Sequence, residues 1–338
     1  MMKLVVLLMT VGGLGLALWL VLTNDTGAIL AAFAAVGWGL GAIILVRLFI
    51  LYLCGSAWAL LLRRPAVLPL SACRAALPLS AYLSVRFIRE AINVMLPVAT
   101  VGGDIVGARL ITFWGLAAGL AGASILVDLL LQASGQAVFA AAGALLLAQV
   151  AGAETLVGWV LSGVAVAAAG LLGFYLAQRF GGVDLVERAI ARLLAILARS
   201  GAVGRPIGLD AGLRTIWADP VAVAWAFVLH ILAWLAGVLE IWIALAAMGH
   251  PGNLLAAMII ESLGQALRGA AFPVPGALGV QEGGFVVLGH LLGIDPETAI
   301  ALSLVKRVPD VVLGLPGLLG WHWLESRRGA MAPTVLGE

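Results

Sequence analysis

The chain has 338 residues, of which 63% are hydrophobic and only 11% are charged, with a formal net charge of +2. Soluble domains contain about a quarter charged residues, so this composition excludes a water-soluble protein and predicts a membrane protein. The small net charge also gives no reason to expect a nucleic-acid partner.

Apolar segments long enough to cross a bilayer recur along the whole chain. A transmembrane helix needs about 20 mostly apolar residues to cross roughly 30 Å of hydrocarbon. Shorter apolar stretches at 28–36 and 65–78 are typical of interfacial helices. The sequence therefore predicts an all-α, polytopic transmembrane bundle of about 8 to 10 spans, forming one domain over residues 1–338. The segments lie near residues 4–22, 38–62, 80–111, 114–131, 133–151, 155–176, 221–248, 254–272, 276–292 and 298–324.

Basic residues are concentrated in three parts of the chain, at 63–74, 178–219 and 327–328. Short cytoplasmic loops carry an excess of Lys and Arg, so we assign these parts and both termini to the cytoplasm. Within the loop 178–219, residues 183–197 interleave charged and apolar residues at helical spacing. This pattern favours an amphipathic helix on the inner leaflet, and a solvated connector is an equal alternative.

A polar helical face precedes a Pro/Gly break in the first half of the chain. Its members are spaced for one face of a helix: Arg86, Arg89, Glu90 and Asn93. Proline and paired glycines interrupt the helix directly afterwards, and a carboxylate and an arginine follow: Pro97, Gly102, Gly103, Asp104 and Arg109. Hydrocarbon cannot satisfy the backbone groups freed there, so the break belongs inside the protein or beside water.

A similar arrangement recurs near the end of the chain. Glu261, Gln265 and Arg268 share a helical face, and the Pro/Gly stretch after them again ends in a carboxylate: Pro275, Gly276, Gly279 and Glu282. Two interrupted segments at comparable positions of two halves indicate a transporter site, and each of them could be re-entrant.

Two further polar stripes follow helical spacing. The first contains Ser124, Asp128, Gln132 and Gln136, and the second contains Ser303, Lys306, Arg307 and Asp310. We expect Lys306 or Arg307 to neutralise Asp310 within its own helix. A charge in hydrocarbon costs at least about 2.5 to 3.5 kcal/mol, so all these groups need partners, water or a task. For any one residue a structural ion pair is an equal alternative, whereas the set as a whole predicts a shared polar cavity.

Motifs for catalysis and for metal binding are missing from the sequence. The four histidines lack metal-ligand spacing, and neither a P-loop, a GxSxG elbow nor an HExxH pair occurs. We therefore expect no cofactor, no metal ion and no enzymatic activity.

The two broken segments resemble the flippase-like membrane domain of the lysylphosphatidylglycerol synthase family. The resemblance rests on residues 89–104 and 273–284, with further matching stretches at 121–128 and 303–317. Within the family, it is strongest with the branch associated with hopanoid biosynthesis. It implies movement of lipids between the leaflets of a bacterial inner membrane, and for this branch the handling of pentacyclic triterpenoids. One departure is Gly107-Ala108-Arg109, because many relatives place an arginine nearer the aspartate.

The synthases of that family carry a soluble transferase domain after the membrane part, so we expect no aminoacylation by this chain. We expect a lipid transporter whose polar groove is lined by the break residues and polar faces named above. Its carboxylates would contact lipid or carry protons. The expected partners are membrane lipids, either hopanoid or phospholipid, and hopanoid biosynthesis or export proteins. Two alternatives remain: an integral-membrane lipid transferase that uses Asp104 and Glu282 as acid and base, and a noncatalytic scaffold for biosynthetic enzymes.

The arginine distribution makes the topology testable. We expect a reporter fused after Arg199 or Arg328 to give a cytoplasmic signal, and one fused near Gly27 or Gly249 to give a periplasmic signal. A periplasmic signal after Arg199 would reverse the assigned orientation.

Overall fold

A computed structural model describes residues 2–62, 77–96, 101–180, 182, 208–250, 253–272 and 274–327. Within these ranges the chain forms helices and no strands. The twelve α-helices there are α1 (Met2–Thr23), α2 (Thr26–Ala35), α3 (Gly39–Leu62), α4 (Leu79–Met95), α5 (Gly102–Ile111), α6 (Ala118–Leu147), α7 (Glu154–Arg179), α8 (Leu209–Trp217), α9 (Pro220–Ala247), α10 (Leu254–Ala270), α11 (Val280–Leu291) and α12 (Pro296–Ser326).

Four of these helices, α3, α6, α7 and α9, are long and apolar enough to cross a membrane. A fifth candidate span is the pair formed by α1 and α2, which bends by 96° between Thr23 and Thr26. Helix α12 has the length of a span, 31 residues, but three charged residues within five positions make it more polar. The predicted all-α polytopic bundle is confirmed, although fewer helices qualify by composition than the 8 to 10 predicted spans.

Two of the predicted spans differ from the structure. Segments 114–131 and 133–151 form one continuous helix, α6, because no proline separates them and Gln132 is accommodated inside it. Segment 80–111 is not one span, since α4 ends at Met95 and α5 begins at Gly102. The short helix predicted at 28–36 is present as α2, whose N-terminus is capped by Asp25. The predicted helices at 65–78 and 183–197 fall almost entirely outside the described residues.

Each broken segment folds as a helical hairpin, in which the second helix runs back along the first. In the first hairpin, Gly103 and Gly107 of α5 lie against Arg89 of α4. In the second, Gly284 of α11 lies against Leu267 of α10. The absence of a side chain at these glycines lets the two helices approach closely. The chain therefore reverses direction at both Pro/Gly breaks.

The hairpins belong to two halves with the same order of elements. Helices α4 and α10 both have 17 residues, α5 and α11 have 10 and 12, and α6 and α12 have 30 and 31. Helices α3 and α9, which precede them, have 24 and 28 residues. The packing is reciprocal, because α4 lies on α12 while α10 lies on α6. Helices α3 to α6 and helices α9 to α12 therefore form two repeats with the same order of elements.

The two repeats run in opposite directions. Helices α3 and α9 occupy equivalent places and pack antiparallel, since Arg47 meets Glu240 at one end and Cys54 clusters with Ala233 further along. Equivalent helices that are antiparallel define an inverted repeat, as found in many secondary transporters.

The close approach of α5 to α4 can be tested at one glycine. A Cβ at position 103 would meet the backbone carbonyl of Arg89, which cannot move aside without opening the hairpin. We expect Gly103→Ala to lower the free energy of unfolding by about 1–3 kcal/mol. The control is Gly158→Ala in α7, where a Cβ meets open space; there the melting temperature should stay the same or rise. Equal melting curves in detergent would contradict the close hairpin.

Candidate functional site

A cavity of about 330 Å³ lies where the two hairpins meet. It is bounded by α3, α4, α6, α9 and α10, together with the beginning of α5 and the second break. Residues from both repeats contribute its polar wall: Arg47, Arg86, Glu90, Asn93, Asp104, Gln132, Gln136, His230, Glu261, Gln265, Arg268 and Gly276. Eight residues predicted for the lipid pathway are thus brought together. Their role in handling lipid stays a prediction.

The first charge cluster lies on the α4 side of the cavity and consists of Arg86, Arg89, Glu90, Asp104, Asp128 and His230. Arg89 connects two helices, because its Nη2 lies 2.6 Å from Asp104 Oδ1 and 2.9 Å from Asp128 Oδ2. Arg86 lies 3.3 Å from Glu90 and 3.8 Å from Asp128. His230 Nε2 lies 3.0 Å from Asp128 Oδ1. One fully buried carboxylate, Asp128, is therefore shared by two guanidinium groups and an imidazole.

The second charge cluster lies on the α12 side and consists of Arg47, Glu240, Glu261, Arg268, Lys306 and Asp310. Arg47 binds Glu240 through two hydrogen bonds of 2.8 Å, a bidentate geometry that fixes α3 to α9. Lys306 Nζ lies 2.6 Å from Glu240 and 2.9 Å from Glu261. Asp310 lies 2.9 Å from Arg268 and 3.2 Å from Arg47. The cluster joins four helices and contains equal numbers of positive and negative groups.

Equivalent positions in the two repeats form ion pairs of opposite polarity. Arg86 follows the first residue of α4 by seven positions, and Glu261 follows the first residue of α10 by seven. Their partners Asp128 and Lys306 each follow the first residue of their own helix by ten. The bonds Arg86–Asp128 and Glu261–Lys306 are therefore the same contact with the charges reversed. The repeat is therefore visible in the positions of the charged residues, although the residue types at those positions differ.

Glu282 is held by groups of its own hairpin and of α12. Its carboxylate accepts hydrogen bonds from the Gly279 backbone N–H at 2.7 Å and from Arg307 Nε at 2.8 Å, and Ser303 Oγ lies 3.3 Å away. Arg307 also donates to the Gly276 carbonyl oxygen at 2.9 Å. This pair fixes the second break against α12, and Glu282 does not belong to the described wall of the cavity.

Several predicted pathway residues lie away from the cavity wall. Five of them are ion-pair partners that do not line the cavity: Arg89, Asp128, Lys306, Arg307 and Asp310. Three glycines lie at the ends of the breaks: Gly102, Gly103 and Gly279. Arg109 is half exposed and pairs with Glu325 at the surface, away from the cavity wall, and its predicted role is untested. Pro97 and the side chain of Pro275 fall outside the described part of the chain.

A family model described as the lysylphosphatidylglycerol synthase TM region matches residues 2–317, nearly the whole chain. The chain belongs to the lysylphosphatidylglycerol synthase transmembrane family. Comparison with curated proteins and with solved structures found no match. Family membership and the apolar helices identify an integral membrane protein related to lipids. The resemblance found in the two broken segments is confirmed at the level of the family, and the hopanoid-associated branch stays a prediction.

The pairing predicted for Asp310 is wrong for this family member. Lys306 and Arg307 lie on the same helix but face other carboxylates, and Asp310 pairs with Arg268 and Arg47 from two other helices. The ion pair of Arg47 and Glu240 was not predicted, because each residue lies alone in an otherwise apolar segment. A signal was present, since a single charge inside an otherwise apolar helix requires a buried partner.

The second charge cluster predicts that loss of a buried cation, Lys306, destabilises the protein far more than loss of a half-exposed one, Arg109. Lys306→Met leaves Glu240 and Glu261 close together inside the bundle, and we expect it to lower the free energy of unfolding by about 3–5 kcal/mol. Arg109→Met removes a half-exposed partner of Glu325, and an effect of about 0–1 kcal/mol is expected. Thermal or denaturant unfolding in detergent would measure both. A wild-type melting curve for Lys306→Met would show that the cluster does not stabilise the fold.

Proposed function

We propose that this protein is a lipid transporter of the bacterial inner membrane, with both termini in the cytoplasm, and that the cavity conducts the polar head group between leaflets. The observation that carries the proposal is one polar cavity formed where two inverted helical hairpins meet. In transporters built from inverted repeats, the substrate binds at the interface of the repeats, near interrupted helices.

The chemistry of the cavity suits a head group. A lipid that changes leaflets must carry its polar end through hydrocarbon while its tail stays there, and unsatisfied polar groups make that passage costly. The cavity presents guanidinium donors, carboxylate acceptors and four amides that can do both. Its volume of about 330 Å³ is near the lower end of ligand pockets. A head group fits this space, and the tail or ring system would remain outside in the bilayer.

The amide-bearing and partly exposed groups are the best contacts for the moving head group. Glu90 is one-third exposed although its neighbour Arg86 is buried, so its carboxylate has free capacity to accept hydrogen bonds. Gln132 and Gln265 each make one side-chain hydrogen bond within the wall, which leaves other donors and acceptors open. These groups can exchange a protein partner for a lipid partner without stranding a buried charge.

Hopanoids are the lipids that the sequence motifs favour within this class. Hydroxyl and amino groups, which are common on hopanoid heads, hydrogen-bond well to carboxylates and amides. Membrane hopanoids or phospholipids would be the direct partners. Proteins that synthesise or export hopanoids would act before or after the transport step.

The enzyme and scaffold alternatives have less geometric support. A transferase that uses Asp104 and Glu282 as acid and base needs both carboxylates at one reaction site. Asp104 contributes to the cavity wall but is paired with Arg89, whereas Glu282 is engaged by Arg307 behind the second break. A scaffold would not need a polar cavity between its repeats. No catalytic step is part of this proposal.

Lipid movement through the cavity can be tested with a pair of matched substitutions. Ala133 contributes to the cavity wall, and Ala168 lies on the exposed side of α7. In sealed vesicles that contain a head-group-labelled lipid, we expect the wild-type protein and Ala168→Phe to expose the label to an external quencher. Ala133→Phe should slow the exposure at least about tenfold, corresponding to about 1.4 kcal/mol in barrier height. Equal rates for both variants would exclude the cavity as the pathway.

The same preparations separate the remaining alternatives. An enzyme would convert its lipid in detergent, where no leaflets exist, and mass spectrometry would detect the product. A scaffold would neither move nor convert lipid. Labelled hopanoid and labelled phospholipid, compared in parallel vesicles, would decide the substrate, and faster movement of phospholipid would contradict the hopanoid assignment.

A further inference from the structure

His230 is a titratable residue at the cavity that head-group passage does not itself require. It lies in the middle of α9, is fully buried and contributes to the cavity wall. Its Nε2 is 3.0 Å from Asp128 Oδ1, while its Nδ1 makes no geometrically acceptable hydrogen bond within the described residues. Because the carboxylate favours a proton on Nε2, the open nitrogen of a neutral ring is an acceptor that can take up one more proton.

The charge balance of the first cluster is incomplete when His230 is neutral. Its described members provide two guanidinium groups, Arg86 and Arg89, and three carboxylates, Glu90, Asp104 and Asp128. One negative charge is therefore in excess. A proton on His230 would balance the cluster, whereas the second cluster and the Arg307–Glu282 pair are already balanced. Three carboxylates that share two cations leave a net negative charge around the imidazole, and a nearby negative charge favours proton uptake there.

The neighbours of the imidazole come from every helix around it. Asp128 on α6 is bonded to the ring, and the Cys54 thiol on α3 faces it. The guanidinium groups of α4 and the carboxylate of α5 act on it through Asp128. On the other side of α9, Glu261 of α10 lies against Gly237, and Lys306 of α12 is bound to Glu240. The positive groups on that side are already paired with carboxylates.

We propose that His230 is a proton-binding site of the cavity, and that it takes up and releases one proton in each transport cycle. The inference rests on the proposed lipid transport for its role, but not for its chemistry. A hydronium ion in the cavity gives its proton to Nδ1, so that one O–H bond breaks, one N–H bond forms and a water molecule is left, and the imidazolium is held by Asp128. Release to the opposite face would couple lipid movement to the proton gradient.

The binding of the proton can be measured without any transport. The chain has four histidines, and substitution of the other three as His250→Gln, His290→Gln and His322→Gln leaves His230 as the only imidazole. With ¹⁵N-histidine in the full-length protein in lipid nanodiscs, both ring nitrogens of His230 can be followed by NMR. We expect one reversible protonation of Nδ1 while Nε2 stays hydrogen-bonded. A ring that keeps one protonation state at every pH at which the protein stays folded would overturn the proposal.

The coupling is tested in sealed vesicles with His230→Gln, which can still donate a hydrogen bond to Asp128 but cannot take up a proton. The matched control is His290→Gln, since His290 is exposed. For the wild type and this control, the rate should change with pH by up to about tenfold per unit, the limit for one titrating group, and should respond to an imposed pH gradient. His230→Gln should lose both responses. If it retains them, His230 is not the coupling site.

If His230→Gln does not fold, the single-histidine protein still decides the binding claim and can itself be assayed under a pH gradient. Protonation of His230 without lipid movement in any gradient would overturn the proposed function and leave the proton site standing. Lipid movement that is unaffected by pH would support the transporter and overturn the coupling.

Discussion

A charge buried in this bundle needs a partner inside it, and this requirement decides how the helices pack. Arg47 is a single cation in an apolar helix, and its bidentate bond to Glu240 fixes α3 against α9. Lys306 extends the contact to α10 through Glu261, and Asp310 binds Arg47, so α12 is tied to three other helices. Removing one partner of such a network costs several kcal/mol, because the remaining charge cannot reach bulk water.

The backbone groups at the two Pro/Gly breaks also need partners inside the protein. A break in hydrocarbon frees N–H and C=O groups, and these must be bonded within the protein. Asn93 accepts a hydrogen bond from the Gly103 N–H, and Glu282 accepts one from the Gly279 N–H, so each hairpin has a side chain that satisfies its exposed end. Arg307 supplies the donor for the Gly276 carbonyl. The polar residues near the breaks therefore stabilise the fold. Only those with unused donors or acceptors are suited to bind a substrate.

The sequence predicts the helical class and the two breaks well, because both depend on local properties: apolar length, and residues that interrupt a helix. It does not predict which charges pair. Asp310 has cations three and four positions away on its own helix, yet its partners come from α3 and α10, because each side chain faces a different neighbouring helix. The inverted repeat is hidden for a similar reason. The contact between Arg86 and Asp128 and the contact between Glu261 and Lys306 are equivalent, but reversed charges leave no identity to detect.

The two clusters share a contact of reversed polarity but differ in their charge balance. An interhelix ion pair holds two helices together equally well in either polarity, so both halves keep the contact while its surroundings diverge. On the α12 side, three cations meet three carboxylates, and the result is a closed network suited to holding α3, α9, α10 and α12 in place. On the α4 side, three carboxylates meet two guanidinium groups, and a proton on His230 or a cationic ligand would supply the missing positive charge. This negatively charged side contributes Glu90 and Asp104 to the cavity wall, so a proton or a cationic group in the cavity meets a carboxylate partner there.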